Sequence, residues 1–444
     1  MRPQGIRHPA RLVPIAFLVA IAIGTAVLML PMARAGPGGA PFLTALFHAT
    51  SAVCVTGLIT VDTPTYWSPF GMVVLLFLFQ VGGFGIMSAA TLLGLLAGRR
   101  LQLSARLVAR EERGTLDMSD VMDVLRLILI VTVGVELFVT IWLTLVLHFG
   151  HGLAWGPALW NGLFHGVSAF TNAGFSTYSD SLAGFRSDFL FLFPIMAGVL
   201  AGALGFPVLY ELRREPLKPS TWSLHSKVTL AGSAILLAAG FVAILAAEWS
   251  NPATLGPMGV GDKLLNAAFH SVTPRSAGFN TLDTGALRME TLSVNYVLMF
   301  IGGGSAGTAG GIKVTTFFLL GLVVWSEIRG ERDVAIFRRR IGTRVERQAL
   351  TIVLLAIGLV GVATLIVLSL TDFPFSDVLF ETISAFATVG LSTGITAHLP
   401  GGAQMVIIVL MFVGRVGTIT VATALALGGG QRSYRYPEER PIVG

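Results

Sequence analysis

The sequence predicts an all-α polytopic membrane protein: eight transmembrane helices and four short re-entrant helices around a central pore of pseudo-four-fold symmetry. Three observations predict it. Long apolar runs recur along the chain. Basic residues gather in every second loop. One half-apolar segment is repeated four times. The 444 residues are 54% hydrophobic and only 12% charged, with mean hydropathy +0.77. A soluble chain carries about 25% charged residues, so a soluble multidomain enzyme and a disordered chain are both excluded. Glycine is abundant, at 52 residues, which suggests close helix packing or irregular backbone within the membrane. A single cysteine, Cys54, excludes an intramolecular disulfide and any cysteine-based metal cluster.

Hydropathy places the spans at about 12–32, 70–97, 124–149, 188–210, 227–248, 292–326, 348–370 and 403–427. The first resembles a signal peptide, with Arg2, Arg7 and Arg11 before it and Ala33-Arg34-Ala35 after it. Its apolar core runs to about twenty residues, longer than the usual 7–15 of a signal sequence, so it reads as a span. An even number of spans puts both termini on one side. The N-terminal arm, the loops 99–126, 213–227 and 329–347 and the tail after 428 hold 23 of the 30 Lys and Arg residues. The other side holds five: Arg34, Arg186, Lys263, Arg275 and Arg288. The positive-inside rule therefore makes both termini cytoplasmic. The net charge of +6 and pI of 9.8 follow from topology and require no nucleic-acid partner.

Four outer segments look alike. They begin at Phe47-His48, Phe164-His165, Phe269-His270 and Phe380-Glu381 and end at Gly57, Gly174, Gly278 and Gly390. The glycines are 117, 104 and 112 residues apart, and each segment lies between two spans. In the third segment Gly278 follows its Phe by nine residues rather than ten. Helices of about 12 residues extend ~18 Å and cannot cross a ~30 Å hydrocarbon core, so they re-enter and leave on the same side. Irregular backbone at that depth must be buried in protein or line water, and four such hairpins around one axis enclose a pore.

A dehydrated cation needs replacement oxygens, which backbone carbonyls supply when several in succession face the axis. Such a backbone needs positive φ, which Gly reaches without penalty. The residues before the glycines are Thr56, Ala173, Ala277 and Val389, and no acid lies within two positions before any of them. This favours a carbonyl filter for a monovalent cation over a carboxylate site for Ca²⁺. The alternative, that each Gly merely ends a helix, does not account for four equivalent placements. Eight outer acids (Asp62, Asp180, Asp188, Asp262, Asp283, Glu290, Asp372 and Asp377) against five bases leave that surface slightly negative, which would enrich cations at the mouth; the alternative is ordinary solvated loops. The recurring His48, His165 and His270 read as packing or hydrogen-bonding residues rather than metal ligands.

The sixth span is interrupted by Gly302-Gly303-Gly304-Ser305-Ala306-Gly307-Thr308-Ala309-Gly310-Gly311-Ile312-Lys313. Each Gly costs about 1 kcal/mol relative to Ala in a helix, so the helix should break midway through the bilayer. A loop there would gate the path; the alternative is small-residue helix packing. The segment also matches a dinucleotide-binding and a nucleophile-elbow pattern, but the strand either requires is missing. Arg415 lies midway along the last span, where a charge normally faces an interior or aqueous path. It would form a positive barrier or a lock on the carbonyls of the broken loop; the alternative is a purely structural helix–helix bond.

The four segments, the loop Gly-Ser-Ala-Gly-Thr-Ala-Gly-Gly-Ile-Lys (304–313) and the Arg-bearing last span resemble the Trk/Ktr/HKT superfamily of K⁺ transporters over essentially the whole chain, most closely the KtrB-type membrane subunit. The resemblance implies four M1–P–M2 units: 1–115, 116–222, 223–340 (with a broken second helix) and 341–427, then a cytoplasmic tail, 428–444. It implies a K⁺ filter of Val55, Thr56, Gly57, Asn172, Ala173, Gly174, Ser276, Ala277, Gly278, Thr388, Val389 and Gly390. Gly57 favours K⁺, since members with Ser there tend toward Na⁺. It implies a gate of residues 302–311 with Lys313 and Arg415. It further implies a homodimer in the cytoplasmic (inner) membrane, docked on a cytosolic ring of RCK subunits, similar to KtrA, that bind ATP, ADP or NAD. K⁺ would be the transported ion, with no covalent cofactor, and Na⁺ is an activator in some members. The shortened third segment, with Pro274-Arg275, leaves the filter register there open.

Two other readings compete. A Na⁺-selective or Na⁺-coupled member of the same superfamily shares all these motifs. An intramembrane enzyme would need a catalytic constellation. Asp117, Asp120 and Asp123 are the only acidic cluster of note, and they read as the polar face of a helix beside Met118, Val121 and Met122. No HExxH motif is present, so the chain is not expected to be an enzyme.

Overall fold

Chain that leaves water must satisfy its own backbone N–H and C=O groups, and helices do this within one segment. The apolar runs accordingly fold as helices in a computed structural model, which describes residues 9–106 and 118–417 apart from 217, 332 and 338. In chain order these are α1 Pro9–Leu28, α2 Phe42–Val53, α3 Thr63–Tyr66, α4 Pro69–Arg106, α5 Met118–Leu145, α6 Trp155–Thr171, α7 Phe189–Leu204, α8 Phe206–Arg214, α9 Leu224–Glu248, α10 Val260–Val272, α11 Met289–Phe300, α12 Val314–Ile328, α13 Thr343–Leu370, α14 Phe375–Phe386 and α15 Gly401–Phe412. Single π-turns extend α5 over 146–150 and α15 over 413–417. A two-residue hairpin, Ala335–Ile336 against Arg339–Arg340, follows α12. The tail 428–444 and residues 418–427 of the eighth expected span lie outside the described residues.

Among the described residues four helical stretches are long and apolar enough to cross a bilayer alone: Pro69–Thr91, Leu125–Gly150, Leu224–Glu248 and Thr343–Leu370. The pair α7–α8 makes a fifth if counted as one span, but it bends by 104°. The expected span 188–210 falls on this bent pair. The bend sits at Gly205, at φ +89°, and Pro207 just beyond it has no N–H to continue the ladder. The expected span 292–326 is divided at residues 301–313 into α11 and α12, of 12 and 15 residues. Two further expected spans are represented by shorter apolar helices, Leu12–Leu28 and Gly401–Gly417.

The four short helices α2, α6, α10 and α14 are buried toward their C-termini, where each carries a run of residues with almost no exposure. They pack among the long helices: α2 against α1 and α4, α6 against α5 and α7, α10 against α9, and α14 against α13 and α15. The outside is apolar instead, with Phe77, Ile141, Val242, Val324 and Leu365 all exposed. Polar side chains such as Thr50, Ser168, Asn266 and Thr382 lie inside. That inverted distribution suits a solvent of lipid.

Candidate functional site

Each short helix ends in a turn held by its own backbone. In three of the four the end is a Schellman motif, with paired N–H bonds reaching five and three residues back. Thr56 N donates to Ser51 O and Val55 N to Ala52 O, at 2.7 and 3.0 Å. Ala173 and Asn172 repeat this on Ser168 and Ala169, and Val389 and Thr388 on Ser384 and Ala385. The third turn is one residue tighter: Ala277 N donates to Thr273 O at 2.9 Å, four residues back. Pro274, without an N–H, ends the helix early at Val272. This absorbs the missing residue and brings Ser276, Ala277 and Gly278 into the same register as the other three triplets.

The register shows in the dihedrals. Val55, Asn172, Ser276 and Thr388, each two residues before its Gly, have φ of +56°, +61°, +86° and +48°. Gly57, Gly174, Gly278 and Gly390 follow at +91°, +70°, +73° and +92°. Positive φ is uncommon for any non-glycine and a true outlier for β-branched Val55 and Thr388, so surrounding structure must enforce it. Serine hydroxyls contribute: Ser51 Oγ accepts from Gly57 N at 3.1 Å and Ser384 Oγ from Gly390 N at 3.2 Å. Ser168 Oγ donates to Phe175 O at 2.8 Å.

The four turns meet in a closed ring. A Cβ on Gly57 would lie 2.5 Å from Ala173 O, on Gly174 2.9 Å from Ala277 O, and on Gly278 2.7 Å from Val389 O. On Gly390 it would strike Thr56 O and close the circuit. Each Gly is thus pressed against the carbonyl preceding the next Gly in cyclic order. The glycines also form the floor of a vestibule of about 450 Å³, whose lining includes Asp62, Asp180 and Asp283 and no Lys or Arg among the described residues.

Of the residues after the leading phenylalanines, His165 and Glu381 tie their helix to the chain beyond its glycine. His165 Nδ1 donates to Asn161 O at 2.8 Å, and its Nε2 lies 3.0 Å from Ser176 Oγ beyond Gly174. His48 bonds Thr44 O at 3.0 Å and His270 lies 3.1 Å from Asn295 Nδ2. Glu381 takes the fourth place, accepting from Ser392 Oγ and, at 2.8 Å, from Thr396 Oγ1. No group of three metal-ligating side chains occurs among the described residues.

On the far side of the ring from the vestibule lies the loop 302–311. It starts and ends in mutual bonds: Gly302 N to Ile312 O at 2.9 Å and Ile312 N to Phe300 O at 3.0 Å. It seats in the bend between α7 and α8. Gly304 N donates to Ala203 O at 2.7 Å, Thr308 N to Gly202 O at 3.0 Å, and Phe206 N to Ala306 O at 3.2 Å. Glycines permit this approach: a Cβ on Gly303 would lie 2.5 Å from Ala203 O, while on Gly304 or Gly205 it would strike Leu204 O or Ser305 O. Thr308 Oγ1 lies 3.0 Å from the Asn172 side-chain amide, and Gly310 N donates to Ser276 Oγ at 2.9 Å. Lys313 Nζ donates to Ala309 O at 2.6 Å. Arg415, 2% exposed, donates through Nη1 to Thr308 O. No carboxylate ion-pairs with it among the described residues.

Sequence reasoning missed three participants. Arg275, counted among the outer bases, is 3% exposed and points inward, where its Nη2 meets Gly302 O at 3.3 Å and Ser233 Oγ at 3.1 Å. Counting by position along the chain could not reveal that. Gly205 and its neighbours form the loop's seat, and Gly205-Phe206-Pro207 carried a helix-break signal. The side chains of Asn172 and Ser276 reach the loop as well as belonging to the ring.

The family model described as TrkH, cation transport protein, matches residues 6–433. The chain belongs to that family. It is 36% identical to the Ktr system potassium uptake protein B of Bacillus subtilis over 436 residues, 98% of this chain and 97% of the relative. It is 35% identical to the potassium/sodium uptake protein NtpJ of Enterococcus hirae, with 98% and 97% covered. The Ktr system potassium uptake protein B of Vibrio alginolyticus is 33% identical, with 100% and 97% covered. The crystal structure of the potassium transporter TrkH from Vibrio parahaemolyticus matches with a TM-score of 0.73 at 17% identity, covering 94% of this chain and 85% of that one. This family and the membrane-length apolar helices make the chain a multi-pass membrane protein.

Proposed function

We propose that this chain is the ion-translocating subunit of a Ktr-type K⁺ uptake system. The observation that carries the reading is the closed ring of four equivalent turns, in which alternating positive-φ residues bring the carbonyls of Thr56, Ala173, Ala277 and Val389 against successive glycines. Such a ring offers uncharged oxygens to a dehydrated monovalent cation. The twelve residues 55–57, 172–174, 276–278 and 388–390 are the filter. Residues 302–311, with Lys313 and Arg415, are the gate. In this reading α2, α6, α10 and α14 are the re-entrant helices of four M1–P–M2 units bounded near 115, 222 and 340. The broken pairs α7–α8 and α11–α12 then count as single spans, giving eight. The basic residues set both termini in the cytoplasm of a cell whose inner membrane holds the protein. A homodimer regulated by a cytosolic nucleotide-binding RCK ring completes this reading; the identity to relatives named Ktr system potassium uptake protein B supports the Ktr-type assignment.

The test is uptake of radiolabelled Rb⁺ into proteoliposomes of the purified chain under an inside-negative potential, with Na⁺ as competitor. Saturable uptake that resists Na⁺ is expected. If the closed loop blocks flux, the variant lacking Gly304–Gly310 conducts; a chain silent in both forms refutes the reading. A Na⁺-coupled member is the second reading, favoured by 35% identity to a relative named for both potassium and sodium. Rb⁺ uptake that requires Na⁺ would select it.

A further inference from the structure

Ser276 stands between two parts that the proposed function treats separately. It is fully buried and its Oγ has two partners. It accepts from Gly310 N of the loop at 2.9 Å and donates to Thr388 O of the fourth turn at 2.8 Å. A hydroxyl has one proton and two lone pairs. While the Gly310 N–H occupies a lone pair, the proton is directed at Thr388 O, and each bond polarises and strengthens the other. Thr388 is a β-branched residue at φ +48°, so its carbonyl direction needs such support. Gly310 reaches this place because it has no side chain: a Cβ there would strike Ala387 O and Thr388 Oγ1.

We infer that the Ser276 hydroxyl is a specificity-determining group that ties ion selectivity to the position of the 302–311 loop. With the loop seated, Ser276 fixes the Thr388 carbonyl in the layer below the glycines. When the loop withdraws, the Gly310 N–H leaves, the hydroxyl is free to rotate, and the Thr388 carbonyl loses its anchor. Reciprocity follows: an ion that favours the ordered ring favours the seated loop by the same factor. Asn172 adds a parallel contact through Thr308. This inference rests on the reading of residues 276–278 and 388–390 as filter.

The experiment compares Ser276→Ala, the Gly304–Gly310 deletion and the unaltered chain in proteoliposomes, reading basal Rb⁺ uptake and the Rb⁺/Na⁺ uptake ratio. Ser276→Ala keeps the Cβ and removes only the bridging oxygen. Uptake should rise and the ratio should fall together, each by about tenfold, the scale of one or two buried hydrogen bonds lost. The deletion leaves Ser276 in place, yet its ratio should fall too. A deletion that raises uptake with the ratio of the unaltered chain overturns the inference, as does a Ser276→Ala chain in which only one quantity moves. If Ser276→Ala does not fold, Thr308→Val removes the loop hydroxyl bonded to Asn172. The same joint change is expected there, and raised uptake alone again overturns the coupling. Gly278→Ser is the separate control: an unchanged ratio in that variant removes the filter reading itself, and the coupling with it.

Discussion

Substituting Gly278 by Ser puts a side chain where the ring has no room. At φ +73° an L-residue costs about 1–2 kcal/mol over Gly. The new Cβ would lie 2.7 Å from Val389 O, 3.0 Å from Gly174 Cα and 3.3 Å from Gly390 Cα. All three are backbone atoms of neighbouring turns, so no rotamer change relieves the contact. The Val389 carbonyl must move, and in the proposed filter it is one of the four oxygens offered to the ion. A displaced carbonyl weakens binding of the ion that fitted the undistorted ring more than that of an ion that did not fit. If the strain of about 1–2 kcal/mol appears wholly as differential binding, the K⁺/Na⁺ ratio falls about 5–30-fold, since ~1.4 kcal/mol is tenfold. Rb⁺ uptake into proteoliposomes with graded Na⁺ competition measures it. A ratio equal to that of the unaltered chain would show that these glycines do not select the ion.

Three further outcomes are expected. Arg415→Ala removes the bond to Thr308 O; a buried charged hydrogen bond is worth about 1.5–3 kcal/mol, so the loop should loosen and basal Rb⁺ uptake should rise at least tenfold. Gly205→Ala places a Cβ against Ser305 O and Gly307 N at φ +89°, which should lower the midpoint of thermal unfolding in detergent and disturb loop seating. Glu248→Ala leaves three donors without an acceptor, Arg288 N at 2.9 Å, Thr291 Oγ1 at 2.5 Å and Thr254 Oγ1 at 2.5 Å, and takes from Asn251 Nδ2 the nearer of its two acceptors, at 2.6 Å, the other being Ala286 O. At about 1–3 kcal/mol for each unsatisfied buried group, that variant should be much less stable by the same thermal assay, while Glu248→Gln loses less.

Much of this architecture was legible because the bilayer restricts the answer. A run such as 348–370 has little choice but a helix, and α13 spans Thr343–Leu370. Six glycines in twelve residues made the break after Phe300 readable. The bend at Gly205 was less legible because the run Phe189–Leu204 before it is so apolar that periodicity offered no boundary. Arg275 was misplaced because hydropathy sorts residues by position along the chain, whereas a long side chain can turn inward to find acceptors such as Gly302 O. The register of the third turn was open for a related reason: spacing counts residues, and only the hydrogen bond from Ala277 to Thr273 shows where one was absorbed.

Symmetry above and asymmetry below are compatible because they use different parts of the same residues. The ring is built from backbone, so Val55, Asn172, Ser276 and Thr388 can occupy equivalent positive-φ sites despite unrelated side chains. Those side chains are then available for contacts the ring does not need. Three of them meet the single loop: Asn172 at Thr308, Ser276 at Gly310, and Thr388 against Gly310. Val55 has no polar group to offer it. In the proposed reading a four-fold set of carbonyls can therefore select an ion while a one-sided loop, residues 302–311, seats beneath three of its four segments. Four turns with identical side chains would give the loop four equal seats and no preferred one; the differences at this single position supply the preference without altering the oxygens of the proposed filter.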